Sequence, residues 1–302
     1  MKKVLITGGS GTVGSSFIKK YYNDFEFYNI SRNESQVTEL KRKYPNVTNF
    51  IVDIRNLQSV INIFERINPD IVIHAAALKH VNLAEINPTE AVEININGSL
   101  NIIKASIRAE VPLTIGVSTD KACDPDNVYG YTKKIMEQMF FENHNSKTKF
   151  VCARFANVAN SNGSVIPFWK KSIKDNYPLK LTDPKMNRLM FSKKESAELI
   201  YNAYKHALEL DKSFILSNIM KNVNLAELAN IMSSKVEIVG LRPGEKLNET
   251  LISNREIPYT RIKDNLIFLF KDIQPKEYNL DKEHSSITAE NMTKHELKQL
   301  MK

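Results

Sequence analysis

The chain has 302 residues, 42% apolar and 25% charged, the make-up of an ordinary soluble globular protein with one large unit or a main domain and an appendage. Lysine and arginine number 42 against 34 acidic residues, a formal charge of +8, but the excess is scattered without interleaved aromatics, so no nucleic-acid partner is expected. No run reaches the roughly 18 apolar residues of a membrane span, so no membrane partner is expected either.

In chain order, Lys3 to Thr7 predicts a first strand, because its apolar part is too short for a signal peptide. Further strands are predicted at Phe25–Ile30, Val47–Val52, Ile71–His74, Leu113–Ser118 and Phe150–Phe155, with helices between them, including Gly14–Tyr22 and Tyr129–Glu142. That alternation predicts an α/β fold, a Rossmann-like doubly wound parallel sheet, over residues 1–160. In the later helix, Ile135, Met136, Met139 and Phe140 are expected to form one core-facing stripe. Beyond Asn157 the rhythm loosens, and residues 161–302 are expected to form a smaller, mainly substrate-binding region with some segments returning to the sheet. Ser161 to Arg188 reads as a segment that covers substrate. A helix at Lys194–Leu208 and a strand at Phe214–Ser217 rejoin the sheet, followed by helices at Leu225–Met232 and Gly244–Leu251 and a lone strand at Leu266–Leu269. Cys123 and Cys152 have neither metal-ligand spacing nor a disulfide framework, which fits a reducing cytoplasm and no metal site.

Thr7-Gly8-Gly9-Ser10-Gly11-Thr12-Val13-Gly14 follows a strand and opens a helix, the context that makes such a run a dinucleotide fingerprint. Gly8 permits the tight turn, Gly11 the approach of a pyrophosphate and Gly14 close helix–strand packing, with the helix N-terminus facing the phosphates. At the end of the second strand no carboxylate is present to hold a ribose 2′-hydroxyl. Ser31 and Arg32 can instead bind a 2′-phosphate, so the expected cofactor is NADP. Asp53 and Ile54 suit the adenine, and Ala75 and Ala76 leave room for the dinucleotide, whereas His74 reads as a core histidine.

Thr119, Asp120 and Lys121 end the fifth strand shortly before Tyr129 and Lys133, which share one helix face. A Tyr/Lys pair beside a hydride acceptor oxidises an alcohol. Asp120 and Lys121 are surplus to that task, and an acid with a base points to an elimination built on a transient oxidation.

With these motifs the chain resembles the extended short-chain dehydrogenase/reductase superfamily. More narrowly, HAAALKH (74–80), NPTEAVEINIxG (87–98), STDKA (118–122), YGYTK (129–133), GSVIPF (163–168) and LRPGEKL (241–247) resemble the inverting UDP-N-acetylglucosamine 4,6-dehydratases of polysaccharide and pseudaminic acid biosynthesis. The resemblance covers about residues 3–255, and Tyr129, where some relatives carry methionine, favours the inverting branch. It implies a UDP-sugar substrate, oxidation at C4 with Tyr129 as base and Lys133 on the nicotinamide ribose, and Lys133 lowering the phenol pKa. It further implies removal of the C5 proton by Lys121, protonation of the leaving 6-hydroxyl by Asp120, and return of hydride to C6. Thr119 would hydrogen-bond the substrate, Lys79 and Asn157 would reach it, and Val158 would lie beside the cofactor. Arg242 and Glu245 would hold the uridine diphosphate, with Thr182 and Arg188 as further substrate contacts. By the same resemblance a homo-oligomer is expected. The chain departs from the family over Arg154–Val165, where one glycine and one arginine are missing, and at MNRLMF (186–191). A UDP-sugar epimerase and a catalytically silent NADP-binding regulatory module are the alternatives.

Overall fold

The computed structural model describes residues 1–302. Seven runs rich in β-branched and aromatic residues form parallel strands of one sheet. They are β1 (Lys2–Thr7), β2 (Phe25–Ser31), β3 (Thr48–Ile51), β4 (Ile71–His74), β5 (Leu113–Thr119), β6 (Lys149–Phe155) and β7 (Ile215–Asn218). Two more, β8 (Thr260–Lys263) and β9 (Leu266–Leu269), complete an edge through antiparallel pairings. The order across the sheet is β8-β9-β7-β6-β5-β4-β1-β2-β3.

Alternate side chains along β1 divide between two cores, as a covered parallel sheet requires. Val4 and Ile6 pack with Phe17 and Ile18 of the Thr12–Tyr21 helix and Leu199 and Ile200 of the Lys193–Glu209 helix. Leu5 faces the opposite core, with Phe64 of the Leu57–Ile67 helix and Ile102 of the Gly98–Arg108 helix. A further cluster centres on fully buried Trp169 with Leu179, Leu228 and Leu297, so the later part of the chain has apolar packing of its own. Trp169 Nε1 donates to the Lys180 carbonyl at 2.9 Å, which satisfies its polar edge inside that cluster.

Three expectations need correction. Gly244–Leu251 is not a helix: Gly244 turns the chain at φ 76°, and Thr250–Ile252 is a strand paired with His284–Ser285. Leu266–Leu269 is not alone, because Asp264 and Asn265 adopt φ of 51° and 62° and fold β8 onto β9 as a hairpin. Ile135 is 43% exposed, so the core stripe of the Val128–Asn143 helix narrows to Met136 and Phe140, with Met139 at its margin. Ser161–Arg188 contains the Val165–Lys174 helix, whose apolar side builds the Trp169 cluster.

Candidate active site

The chain runs outward from β1 to β2 and β3, then crosses back to place β4 on the other flank of β1. Ligands of open α/β sheets lie beyond the strand ends at such a reversal. A cavity of about 630 Å³ is found there. Ser10–Gly14, Ser31, Arg32, Asp53, Ile54, Ala75, Ala76, Lys79, Thr119–Lys121, Tyr129, Lys133, Asn157 and Val158 all line it.

The glycine loop fits a dinucleotide on steric grounds. Gly8 has φ 71°, and a Cβ on it would sit 3.0 Å from Ala76 Cα. Gly8 also lines the cavity, whereas Thr7 does not. Thr7 is buried instead, its Oγ1 2.8 Å from His74 Nδ1 and accepting from the Ala76 amide at 3.2 Å. It braces the wall without touching the space. His74 Nε2 meets Ser99 Oγ at 2.9 Å, and burial pushes the imidazole down to about 3, so it is a neutral core residue.

At the far end, Ser31 Oγ accepts from Ser10 Oγ at 3.0 Å. Arg32 lies 3.8 Å from Asp53 and 3.7 Å from Glu90. Arg55 pairs with the same two carboxylates at 2.6 and 3.1 Å. Two guanidinium groups therefore converge where one was expected, and the Arg55 hydrogen bond is the main cause that holds Asp53 below its usual range. Its position directly after Asp53-Ile54 was the available sequence signal.

The reactive groups come from two elements. Thr119 ends β5, and Asp120 and Lys121 form a short turn after it. Tyr129 and Lys133 lie on the Val128–Asn143 helix, which starts where Asn127 Oδ1 accepts from the Gly130 amide at 2.8 Å. Gly130 allows the two elements to touch: a Cβ there would meet the Lys121 carbonyl oxygen at 2.3 Å. Gly130→Ala is expected to push the helix from the turn and destabilise the fold by about 1–3 kcal/mol. Thermal denaturation checks this, and an unchanged Tm would contradict the tight fit.

Lys121 Nζ lies 3.1 Å from Asp120 Oδ1 and 3.3 Å from Glu249 Oε1. Burial opposes its charge, but the two carboxylates outweigh burial and the nearby Arg188, and Lys121 sits above the usual lysine range. Glu249 belongs to no local motif and could only be found once the chain was folded. Burial pushes the Tyr129 phenol up to about 12, opposed by the charge of Lys121 and a hydrogen bond with Thr119. The Lys133 amine contacts Met136 Sδ at 3.0 Å, and burial pushes it down to about 8. Cys123 is outside the cavity wall, its thiol 3.1 Å from Glu256.

Lys79 Nζ donates to the Asn162 carbonyl at 2.8 Å, and the Asn162 amide donates to Thr12 Oγ1 at 3.0 Å. The 161–164 segment thus crosses from the glycine loop to the Lys79 wall. In it Ser164 Oγ, buried on the cavity wall without a partner, is a candidate missed in the sequence. Thr182, Arg188, Arg242 and Glu245 do not line the cavity. Arg242 Nη2 pairs with Glu245 at 2.5 Å, and Arg188 donates to the Lys246 and Leu247 carbonyls at 2.8 and 3.1 Å. The Thr182 carbonyl accepts from the Gly240 amide at 3.1 Å, tying it to the turn before Arg242.

The sequence profile of a family described as polysaccharide biosynthesis protein matches residues 4–271. The chain belongs to this family. A Campylobacter jejuni member named UDP-N-acetylglucosamine 4,6-dehydratase (inverting) is 35% identical, over 95% of this chain and 87% of its own. The Staphylococcus aureus capsular polysaccharide biosynthesis protein CapD is 35% identical over 85% of this chain, which spans only 46% of that relative's length. A Rickettsia bellii relative named UDP-glucose 4-epimerase is 31% identical over 99% of this chain and 92% of its own. Among solved structures, Pen from Bacillus thuringiensis superposes with a TM-score of 0.92 at 31% identity, covering 99% of this chain and 96% of that one.

Proposed function

We propose that the protein is an NADP-dependent nucleotide-sugar 4,6-dehydratase that converts UDP-N-acetylglucosamine to a UDP-4-keto-6-deoxy sugar with inversion at C5. The observation that carries this reading is the Asp120–Lys121 pair on the same cavity wall as Tyr129. An epimerase oxidises and re-reduces C4 and leaves both charged groups without a task. The inverting relatives support the same reading by their names.

When bound, a nicotinamide dinucleotide supplies reversible two-electron chemistry, taking hydride from an alcohol carbon and giving it back. The chain's own groups handle the protons. Tyr129 takes the proton of the sugar 4-hydroxyl, with Thr119 as hydrogen-bond partner and Lys133 on the cofactor ribose. The C4 ketone acidifies the C5 hydrogen, Lys121 removes it, and Asp120 protonates the 6-hydroxyl as it leaves. In this reading Lys79 and Asn157 contact the sugar, Arg242 and Glu245 serve the uridine diphosphate from the 161–302 region, and Thr182 and Arg188 are further substrate contacts. For Arg242 and Glu245 that means exchanging their mutual ion pair for diphosphate and ribose hydroxyls.

Arg32, joined by Arg55, favours NADP over NAD because a 2′-phosphate can take the place of Asp53 and Glu90 between them. Arg32→Ala is expected to weaken NADP by about 1.5–3 kcal/mol, the scale of a charge-assisted hydrogen bond, with little change for NAD. Titration of both dinucleotides checks this, and equal affinity of the unmodified protein for the two would remove the NADP assignment.

No helix is long and apolar enough to cross a membrane. Buried, free Cys123 and Cys152 suit the cytoplasmic location we assign, and the exposed Ile107, Tyr131 and Ile135 suit a homo-oligomer. The deciding experiment is product NMR in heavy water. The dehydratase reading expects a 6-methyl signal, solvent deuterium at C5 and a C6 hydrogen that originates at C4. A C4 epimer without a 6-methyl group establishes the epimerase instead.

A further inference from the structure

Glu249 has no task in the scheme above, yet it is 5% exposed and within 3.3 Å of the Lys121 amine. A carboxylate is costly to bury, and this one is placed with care from several directions. Its amide donates to Ser286 Oγ at 3.0 Å, and its carbonyl accepts from the Ser286 amide at 2.8 Å. The next residues, Thr250–Ile252, pair with His284–Ser285. On the other side Arg188 grips the Lys246 and Leu247 carbonyls and brings Nε to 3.9 Å from Glu249 Oε1. The late part of the chain thus delivers a fixed carboxylate to a turn at the end of β5.

The proton balance of the elimination explains what it does there. An ammonium cannot accept the C5 proton, and Asp120 needs a proton to give. Transfer of one proton from Lys121 Nζ to Asp120, across 3.1 Å, produces a neutral amine and a carboxylic acid together. The C5–H bond then breaks, its electron pair moves toward the C4 carbonyl, and the proton joins Nζ. As the pair returns to form the C5–C6 double bond, the C6–O bond breaks and the hydroxyl leaves as water with the Asp120 proton. Lys121 ends positive and Asp120 negative, and Glu249 has remained a carboxylate throughout. Burial pushes Glu249 above the usual glutamate range, and Lys121 is the strongest group opposing that push, with Asp120 and Arg188 acting in opposite senses.

We propose that Glu249 is a positioning residue for this step: it orients the Lys121 amine and compensates the charge that the amine gains from C5. The inference rests on the dehydratase reading. Its closest analogue in principle is the carboxylate that steadies the histidine of a hydrolase triad without itself taking the proton.

The charged and titratable groups facing Lys121 are Asp120 on its own turn, Glu249, Arg188 on the Asn187–Phe191 strand and Tyr129 on the Val128–Asn143 helix. Of these only Glu249 changes in Glu249→Gln, which keeps shape and removes charge. The variant is expected to slow both product formation and solvent-deuterium entry at C5 by roughly a hundredfold, the low end of a general base's contribution. The limb of the pH–rate profile that reports Lys121 should move to lower pH, because the ammonium loses a stabilising neighbour, while NADP affinity stays unchanged. A rate within about twofold of the unmodified protein, or a loss of rate with an unmoved profile and a lowered Tm, overturns the proposal. If the glutamine variant does not fold, Glu249→Asp decides. Drawing the carboxylate back by one carbon should cost several-fold in rate at unchanged NADP affinity, and a wild-type rate overturns the proposal. An unmodified protein that yields only a C4 epimer overturns the dehydratase reading and this inference with it, before any variant is compared.

Discussion

Lys121→Ala is expected to reduce dehydration of the UDP-sugar by roughly 10²–10⁴-fold while leaving NADP binding intact. Lys121 lines the cavity but is not among the residues assigned to the dinucleotide, so affinity for the cofactor has no reason to change. The rate falls because no other amine stands within ion-pair distance of Asp120. The substitution leaves Asp120 and Glu249 buried together without their shared cation, which also costs stability. Thermal denaturation beside the rate measurement separates the two effects: a modest drop in Tm cannot produce a hundredfold loss in a folded sample. Tyr129→Phe should stop the reaction earlier, at C4, and so abolish solvent-deuterium entry at C5 as completely as Lys121→Ala does. Retention of most of the dehydration rate in Lys121→Ala would remove it as the base.

The parts of this site that were legible in the sequence are those built from contiguous residues. The glycine loop, the Asp120–Lys121 turn and the Tyr129–Lys133 spacing each owe their form to a local conformation, a tight turn, a strand end or one helical turn. Strands β1, β4, β5 and β6 were legible for a related reason, since a parallel strand buried on both faces announces itself as an apolar run. Gly244–Leu251 misled because its short apolar spacing suits a helix, whereas the turn at Gly244 and pairing with His284–Ser285 decide its state. Leu266–Leu269 was visible as a strand, but its partners β7 and β8 are set by tertiary pairing. Glu249 was invisible for a sharper reason: its partner Lys121 is distant in sequence, and the contact depends on the strand pairing that the sequence reading missed.

The second large effect concerns the buried charges beneath the site. Arg154, on β6, is fully buried and donates to both Glu137 oxygens, Nε to Oε1 at 2.9 Å and Nη2 to Oε2 at 2.8 Å. It also reaches Glu256 at 2.9 and 3.0 Å and the Leu251 carbonyl at 2.9 Å. Glu137 in turn accepts from Ser118 Oγ at 2.7 Å, one residue before Thr119. One guanidinium therefore ties together the end of β5, the helix of Tyr129 and Lys133, and the strand that follows Glu249. Arg154→Met removes this cation and leaves buried Glu137 with Lys134 no nearer than 4.0 Å, while Glu256 keeps Lys134 at 3.2 Å, and the loss is expected to cost about 3–5 kcal/mol. For a chain of 302 residues that lowers Tm by about 5–8 °C.

The same pair sets an acid dependence with a definite sign. Burial pushes Glu256 up, but Arg154 more than offsets this and holds the carboxyl down to about 2, below its ordinary 4.5. A folded-state value below the unfolded one means the stabilisation is complete above about pH 4.5 and is lost as pH falls toward about 2. In Arg154→Met the main cause of the depression is gone, so that acid-induced loss should shrink even though the variant is less stable at neutral pH. The double substitution Arg154→Met with Glu137→Met should regain much of the neutral-pH stability, because removing a buried pair costs far less than breaking it. Thermal denaturation of the three proteins between pH 2 and 7 tests this. A single variant as stable as the unmodified protein, or one with an unchanged acid limb, would show that Arg154 does not hold these elements together.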